Sequence, residues 1–291
     1  MSSIFIFPGQ GAQVVGMGAD LYKNNGKARE VFDAVDDALG EKLSDVIFNG
    51  PMETLTLTAN VQPAILATSL AMFRAAQLPT PDYVAGHSLG EYSALCAAGA
   101  LSISDAARLV RARGNAMQNA VPLGAGITAV VLGLDIDVVK QICEKFDADV
   151  ANDNCPGQVV ISGLKEKIEP AMDALKEAGA RRVMPLALSV PVHCRAQEGA
   201  AEKMREILDT VEIKKPIVPI ISNKTAKPMT DAAEIKESLI YQMTHGVRWR
   251  ESVLEMVNLG IDDLTEIGPG NVLCGLVNRT TDKINAHKWG I

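Results

Sequence analysis

The sequence is poor in aromatic residues, which make up 4% of its 291 residues as six Phe, four Tyr and two Trp. Aromatic side chains are enriched in β-strands, so this scarcity argues against an aromatic-rich β-sandwich. Glycine is plentiful instead, with 24 residues, and the hydrophobic fraction is 47%. The composition favours helix-rich α/β packing and excludes a largely disordered chain.

Cysteine is also sparse, and the five cysteines form no Cys-x-x-Cys pair. An odd number of widely spaced cysteines argues against a disulfide framework and against a zinc ribbon. We therefore expect reduced thiols, no metal centre and a cytoplasmic location. The cysteines are Cys96, Cys143, Cys155, Cys194 and Cys274.

Two further absences concern membranes and nucleic acids. No apolar run approaches the ~20 residues that a membrane span needs, and the N-terminus lacks the basic region that opens a signal peptide. Lys and Arg total 28 against 35 Asp and Glu, which gives a net charge of −7 (28 − 35). An acidic balance argues against general nucleic-acid binding, which usually needs a basic face.

The first 121 residues alternate short apolar strands with helices. A β-rich run at 3–7 ends at a Pro-Gly pair, and 83–86 predicts a second strand. Apolar residues at helical spacing predict the intervening helices. These helices are predicted over 27–40, 61–77 and 88–98, and onward from a serine cap at residue 102 or 104.

The pattern changes after Pro122 to the order β-α-β-β-α-β, which is that of a ferredoxin-like unit. We predict an inserted small domain over 122–191, within a large domain formed by 1–121 and 192–291. The elements of the insertion are predicted at 126–133, 135–146, 149–154, 158–163, 166–178 and 181–188. Beyond it, helices are predicted at 195–208, 234–243 and 249–258, and strands at 217–222, 262–267 and near 283–287.

Residues 86–90 read Gly-His-Ser-Leu-Gly and match the Gly-x-Ser-x-Gly nucleophile motif. The motif follows a predicted strand and precedes a predicted helix, which is the context the chemistry needs. The turn exposes the serine hydroxyl, and the first N–H groups of the helix point at the same place and can stabilise an oxyanion. Ser88 is therefore the candidate nucleophile.

A serine hydroxyl needs a base, and His193 is the candidate because it follows an apolar strand run. His245 lies in a polar turn and His287 near the C-terminus, and His87 is expected to support the turn. A carboxylate usually orients such a histidine. No acid between Ser88 and His193 has a spacing that marks it, so a backbone carbonyl stays an alternative.

Two more features lie outside the motif. Residues 8–13 read Pro-Gly-Gln-Gly-Ala-Gln after the first strand, so this loop can supply an N–H to an oxyanion, whereas the spacing of its glycines does not fit a phosphate loop. Arg113 lies in a helical stretch with Arg108 and Arg111. A solvated position at a helix end is the ordinary interpretation of such an arginine, and a clamp for a substrate carboxylate is the alternative.

Four motifs in this order resemble malonyl-CoA:acyl carrier protein transacylases, from Ile4 to about Arg279. They are Phe-Pro-Gly-Gln-Gly-Ala-Gln at 7–13, Gly-His-Ser-Leu-Gly-Glu-Tyr at 86–92, Arg-Gly at 113–114 and Glu-Ile-Gly-Pro-Gly at 266–270. The resemblance implies an α/β-hydrolase-like large domain with an inserted ferredoxin-like small domain. It also implies an acyltransferase of fatty acid synthesis.

The resemblance further implies roles for individual residues. Ser88 would carry the malonyl ester, His193 would be the base, and Arg113 would bind the free malonyl carboxylate. Gln10 and Leu89 would supply the oxyanion-hole N–H groups. The backbone carbonyl of Gln242 would orient the histidine, which would make a Ser-His dyad. The chain departs from the common pattern at Val192 and at Cys-Arg-Ala-Gln in 194–197.

The expected partners are malonyl-CoA, as a substrate rather than a cofactor, and acyl carrier protein. The alternatives are a trans-acting polyketide synthase acyltransferase, an acyl-thioester hydrolase and a non-catalytic carrier-binding protein. Carrier proteins are typically acidic, so docking on a chain of net charge −7 is expected to need a local basic patch beside Ser88. Candidate docking residues are Arg181, Arg182, Lys214 and Lys215.

Overall fold

The computed structural model describes residues 2–290, which form two β-sheets surrounded by helices. The strands are β1 (Ser2–Phe7), β2 (Tyr83–Gly86), β3 (Gly126–Leu132), β4 (Asp149–Cys155), β5 (Gln158–Leu164), β6 (Arg182–Pro185), β7 (Ile220–Ile221), β8 (Pro228–Met229), β9 (Ile261–Glu266) and β10 (Asn285–Lys288).

Thirteen α-helices are found within residues 2–290. They are α1 (Ala19–Asn24), α2 (Gly26–Leu39), α3 (Leu43–Asn49), α4 (Met52–Thr56), α5 (Thr58–Ala76), α6 (Gly90–Ala97), α7 (Ile103–Ala120), α8 (Ile136–Lys145), α9 (Lys165–Glu177), α10 (Glu198–Leu208), α11 (Ala232–Thr244), α12 (Trp249–Asn258) and α13 (Val272–Thr280). A 3₁₀ turn over Arg195–Gln197 precedes α10.

The large sheet has the strand order β10-β9-β1-β2-β7-β8, and all its pairs are parallel except β7 with β8. The central strand β1 is buried on both faces. Phe5 and Phe7 pack into one apolar cluster, and Ile4 and Ile6 pack into another on the opposite side. A strand covered on both faces reads as a continuous apolar run, which is why residues 3–7 show no alternation.

The small sheet has the order β4-β5-β3-β6, and all its pairs are antiparallel. Helices α8 and α9 pack on it, and their apolar faces share one buried cluster with the strands. The chain order is β-α-β-β-α-β, as predicted, and the α/β fold with two distinct sheets is confirmed. All these elements lie within 126–185, and the boundaries at 122 and 191 stay a prediction.

Strand β4 connects the small sheet to the segment between α11 and α12. The Asp153 N–H donates to the Val247 carbonyl at 3.0 Å, and the Val247 N–H donates to the Ala151 carbonyl at 2.9 Å. On the same strand the Asp153 carboxylate accepts hydrogen bonds from Arg250 Nε and Nη2 at 2.8–3.0 Å. Because neighbouring side chains on a strand point to opposite faces, Asn152 and Asn154 face the cleft instead.

Several elements differ from the predictions. The helices α1, α3, α4 and α13 and the strand β8 were not predicted, and α5 begins at Thr58 rather than at residue 61. Strand β6 covers only 182–185 of the predicted 181–188, although the Leu186 N–H still donates to the Thr128 carbonyl of β3 at 2.8 Å. Strand β7 keeps only two residues of 217–222, which follow Pro219, and proline lacks the N–H needed to extend a ladder.

No helix within residues 2–290 is long and apolar enough to cross a membrane. The same part of the chain holds no group of three or more His, Cys, Asp or Glu side chains placed to bind a metal ion. The five cysteines, all inside it, are free thiols.

Candidate active site

Ser88 lies in a tight turn between β2 and α6, at the carboxyl edge of the parallel strands. Its φ is +53°, a left-handed conformation that costs energy for a residue with a side chain. A methyl group on Gly86 would overlap the Gly90 backbone, and one on Gly90 would overlap the Phe7 carbonyl. The flanking glycines are therefore required because the turn brings three backbone segments into contact.

His193 is brought to the serine by the segment that leads from the small sheet into α10. Its Nε2 lies 2.7 Å from Ser88 Oγ, and its Nδ1 hydrogen-bonds the backbone carbonyl of Gln242. Because a carbonyl oxygen only accepts, Nδ1 carries the proton and Nε2 presents a lone pair to the serine. The histidine is oriented by a backbone carbonyl, which is the alternative to a carboxylate that the sequence left open.

Burial and, to a smaller extent, the charge of Arg113 lower the pKa of His193 to about 3, against the hydrogen bond to Gln242. The imidazole is 3% exposed. It is therefore neutral at physiological pH, which is the form that can accept a proton. The other candidate bases, His245 and His287, are exposed and lie away from Ser88.

Arg113 lies in the middle of α7 and is 2% exposed, so the interpretation as a solvated residue at a helix end is wrong. Its Nη2 donates to Ser88 Oγ at 3.2 Å and to Gln242 Oε1 at 3.0 Å, and its Nη1 donates to Gln62 Oε1 at 2.8 Å. Burial lowers the pKa of the guanidinium, which nevertheless stays a cation because its ordinary pKa is so high. Its Nε has no hydrogen-bond partner within residues 2–290.

Gln10 and Leu89 both line the cavity beside Ser88. Leu89 begins the first turn of α6, where backbone N–H groups have no partner inside the helix. Gln10 lies in the loop after β1, which packs so closely on the turn that holds Ser88 that a methyl on Gly9 would meet the His87 carbonyl. Within residues 2–290, neither N–H donates a hydrogen bond to another backbone or side-chain group.

The cavity around these residues has a volume of about 380 Å³. It lies between the large-sheet loops and the small sheet, so both parts of the chain form its wall. Its apolar lining includes Met117, Val160, Leu186, Leu188, Val192, Val272 and Leu276, and its polar lining includes Thr128, Asn152, Asn154 and Gln158.

Sequence reasoning missed several residues that the fold brings to the site. Asn223, in the loop after β7, accepts a hydrogen bond from the Ser88 N–H at 2.7 Å and donates to the Gly86 carbonyl at 2.7 Å. Glu91 contacts the Gln242 side chain, and Asn154 of the small sheet contacts His87 at 2.9 Å. No spacing signal could find these contacts because they join segments far apart in sequence.

The four candidate docking residues separate into two pairs. Arg182 in β6 pairs with Leu132, which pairs in turn with Gln158 in the cavity wall, so the arginine pair lies near the cavity. Lys214 is held elsewhere, because its N–H donates to the Ala100 carbonyl between α6 and α7. All four side chains are exposed.

An oriented serine, a neutral histidine and helix-start N–H groups form an arrangement that can support nucleophilic chemistry on acyl groups. The sequence matches the acyl transferase domain family over residues 4–289, and the chain belongs to this family. It is 48% identical over 293 residues to the malonyl CoA-acyl carrier protein transacylase of Bacillus subtilis strain 168, covering 98% of this chain and 92% of that one.

Solved structures give the same result. The acyl-carrier-protein S-malonyltransferase of Bartonella henselae is 46% identical with a TM-score of 0.97, and the match covers 100% of this chain and 96% of that one. A malonyl-transacylase solved in complex with a type II PKS acyl-carrier protein is 41% identical with a TM-score of 0.96, covering 99% and 96%. The predicted family is therefore confirmed.

Proposed function

We propose that Ser88 and His193 carry out the reaction of this family, as a nucleophile and a general base. The chain is an acyltransferase that moves the malonyl group from malonyl-CoA to acyl carrier protein in fatty acid synthesis. The observation that carries the assignment of residues is the 2.7 Å contact between Ser88 Oγ and the unprotonated His193 Nε2.

In the first half-reaction His193 Nε2 takes the Ser88 proton as Oγ attacks the malonyl thioester carbon. The carbonyl oxygen becomes an oxyanion, and the N–H groups of Gln10 and Leu89 stabilise it. The tetrahedral intermediate then collapses, the carbon–sulfur bond breaks, and CoA leaves as a thiol with the proton from His193. The product is a malonyl ester on Ser88.

In the second half-reaction the pantetheine thiol of the carrier gives its proton to His193. The sulfur attacks the ester carbon, the bond to Ser88 breaks, and Oγ recovers its proton. These two steps need no cofactor, since malonyl-CoA is a substrate.

Arg113 is proposed to bind the free carboxylate of the malonyl group. It is a buried cation in contact with Ser88, and its Nε is an unused donor. A carboxylate pairs well with a guanidinium, whereas an acetyl group would leave the buried charge without a partner. This arrangement favours a dicarboxylic acyl group over a simple one.

For the partner and the location we propose the following. The carrier docks near Arg181 and Arg182, because this pair lies beside the cavity wall and an acidic protein needs a local basic patch. The enzyme acts in the cytoplasm, which accords with its free cysteines. No role with nucleic acid or membranes is proposed.

The test is to incubate the protein with radiolabelled malonyl-CoA and then add acyl carrier protein. We expect stable label on Ser88 that the carrier removes, and no label on Ser88→Ala. Prompt loss of label to water would instead indicate the thioester hydrolase, and no label on the wild-type protein would indicate a carrier-binding protein. A chase by a polyketide carrier but not by a fatty acid carrier would indicate the polyketide alternative.

A further inference from the structure

Glu91 lies three residues after Ser88, on the first turn of α6, and is 0% exposed. Its carboxylate accepts three hydrogen bonds, and every donor is itself buried. Gln242 Nε2 donates to Oε2 at 2.5 Å, whereas the Asn223 N–H at 3.2 Å and Ser238 Oγ at 3.4 Å contact Oε1. Buried carboxylates are rare unless they are paired with a cation, and no cation contacts this one within residues 2–290.

Through Gln242, the Glu91 carboxylate is connected to both His193 and Arg113. The backbone carbonyl of Gln242 holds His193 Nδ1, and its side-chain Oε1 accepts a hydrogen bond from Arg113 Nη2. A glutamine side chain in the reverse orientation would present its NH₂ group to the guanidinium, which also only donates. Glu91 prevents this reverse orientation, because its carboxylate only accepts hydrogen bonds and the Gln242 NH₂ group must therefore point toward it.

The contact to Asn223 leads to the nucleophile itself. The Asn223 N–H donates to Glu91, and its side-chain Oδ1 accepts a hydrogen bond from the Ser88 N–H. Asn223 thus connects the Glu91 carboxylate to the Ser88 turn by hydrogen bonds. Gln242 connects the same carboxylate to His193 and Arg113.

We propose that Glu91 is a positioning residue for malonyl transfer, an inference that rests on the proposed function. Its carboxylate fixes two amide residues, Gln242 and Asn223. These set the orientation of the histidine, the arginine and the serine turn. When ionised, it also places a negative charge near Arg113, with only the Gln242 side chain between them, and Arg113 contacts no carboxylate within residues 2–290.

The ionisation of Glu91 makes this role measurable. Burial raises its pKa to about 7, against the hydrogen bonds from Asn223, Gln242 and Ser238 and the charge of Arg113. Among the groups around it, the pKa of His193 is about 3, burial lowers that of His87 and raises that of Tyr92 to about 12, and Arg113 stays charged. We therefore expect acylation to slow as the pH falls through about 7, and we assign this change to Glu91.

The test measures acylation of Ser88 by labelled malonyl-CoA and acetyl-CoA between about pH 5.5 and 8.5, without carrier. Glu91→Gln keeps the shape but sets an NH₂ group against Gln242 or against the Asn223 N–H. We expect a roughly 10- to 100-fold lower rate with malonyl-CoA, a smaller preference over acetyl-CoA, and no change of rate around pH 7. Glu91→Asp keeps the charge but is shorter, so it should lose rate and retain the pH dependence.

Asp36→Asn is the matched control. Asp36 is 3% exposed and accepts hydrogen bonds from Ser44 N and Oγ, well away from the cavity. It should lower thermal stability without changing the pH profile or the acyl preference. The inference is overturned if Glu91→Gln keeps the wild-type rate, preference and pH profile, or if it lowers only stability as the control does. Wild-type label on Ser88 tests the proposed function separately.

Discussion

Two arginines lie close to His193 in opposite environments. Arg113 is 2% exposed and lies inside the site. It donates hydrogen bonds to the side-chain oxygens of two glutamines and to a serine hydroxyl, and it contacts no carboxylate within residues 2–290. Arg195 lies two residues after the histidine, where the small sheet meets α10. Its side chain is 59% exposed and pairs with Asp147 at 2.6 Å and Asp149 at 2.8 Å.

The difference in burial between the two arginines indicates different roles, one in substrate binding and one in holding the structure together. An exposed ion pair is screened by water and salt, so its contribution to stability is small. A buried cation without an anionic partner is costly to the folded protein, yet it is available to bind an anionic substrate. We therefore propose that Arg113 recognises the substrate and that Arg195 only holds two segments of the chain together.

The largest expected effect is on the base in the buried region. His193→Ala should lower the rate of Ser88 acylation by about 10²- to 10⁴-fold, because a positioned general base contributes about that much. Single-turnover labelling with malonyl-CoA measures it. The control is His287→Ala, an exposed histidine that contacts Thr265, and it should keep the wild-type rate. Equal losses in both variants would contradict the assignment.

Arg113→Ala should lower the preference for malonyl-CoA over acetyl-CoA by about 100-fold, because truncating one partner of a buried, charge-assisted pair costs several kcal/mol. The measurement is the ratio of the two acylation rates. Arg111→Ala is a suitable control, since Arg111 lies on the same helix but contacts Glu41, Asn60 and the Ala59 carbonyl. A preserved malonyl preference in Arg113→Ala would refute the carboxylate clamp.

The buried region should also affect stability in a pH-dependent way. Between about pH 4.5 and pH 7, Glu91 keeps a proton in the folded protein that the unfolded chain releases, so its contribution to stability falls as the pH rises. His193 acts in the opposite direction between about pH 3 and pH 6.5, because there the histidine binds a proton only in the unfolded chain. As the pH rises from about 4.5 to 7, the free energy of unfolding of Glu91→Gln should therefore increase relative to that of the wild-type protein, by up to ~1.4 kcal/mol per pH unit.

Denaturant unfolding at several pH values measures this difference. A stability difference between Glu91→Gln and the wild-type protein that does not change between about pH 4.5 and 7 would show that the carboxyl group has its ordinary pKa. Asp36→Asn serves again as the matched buried position.

The smallest effect belongs to the exposed arginine. Arg195→Ala should lower the free energy of unfolding by less than ~1 kcal/mol, and the difference should shrink as salt is added. The acyl preference should stay at its wild-type value. Denaturant unfolding at low and high salt, together with the acylation ratio, checks both statements. A changed preference would show that the exposed region takes part in recognition.

The same contrast explains what the sequence could predict. Ser88 has a local signal, because the nucleophile turn needs glycines at fixed positions. His193 was chosen among the remaining histidines because it follows an apolar strand run. The role of the Gln242 carbonyl came only from the resemblance, since a backbone group carries no side-chain signal. Glu91 and Asn223 were not predicted as site residues. They meet across 132 positions of sequence, and only the packed fold brings them together.

The fold follows the same rule. The β-α-β-β-α-β unit has periodic signals, whereas the buried strand β1 of the large sheet is a continuous apolar run, and both were predicted. Helices α1, α3 and α4 have five to seven residues each and give too few turns to show a period. Helix α13 contains Gly275 and has no side-chain cap, and the buried Glu266 carboxylate accepts hydrogen bonds from its first N–H groups instead.

The central claim is that Ser88 accepts a malonyl group because Arg113 binds its carboxylate. The most direct measurement is mass spectrometry of the Ser88 peptide after brief exposure to equal concentrations of malonyl-CoA and acetyl-CoA. We expect a malonyl ester on Ser88 in the wild-type protein and in Arg195→Ala, with acetyl ester prominent only in Arg113→Ala. Equal malonyl and acetyl esters in the wild-type protein, or an acyl group on another residue, would contradict it.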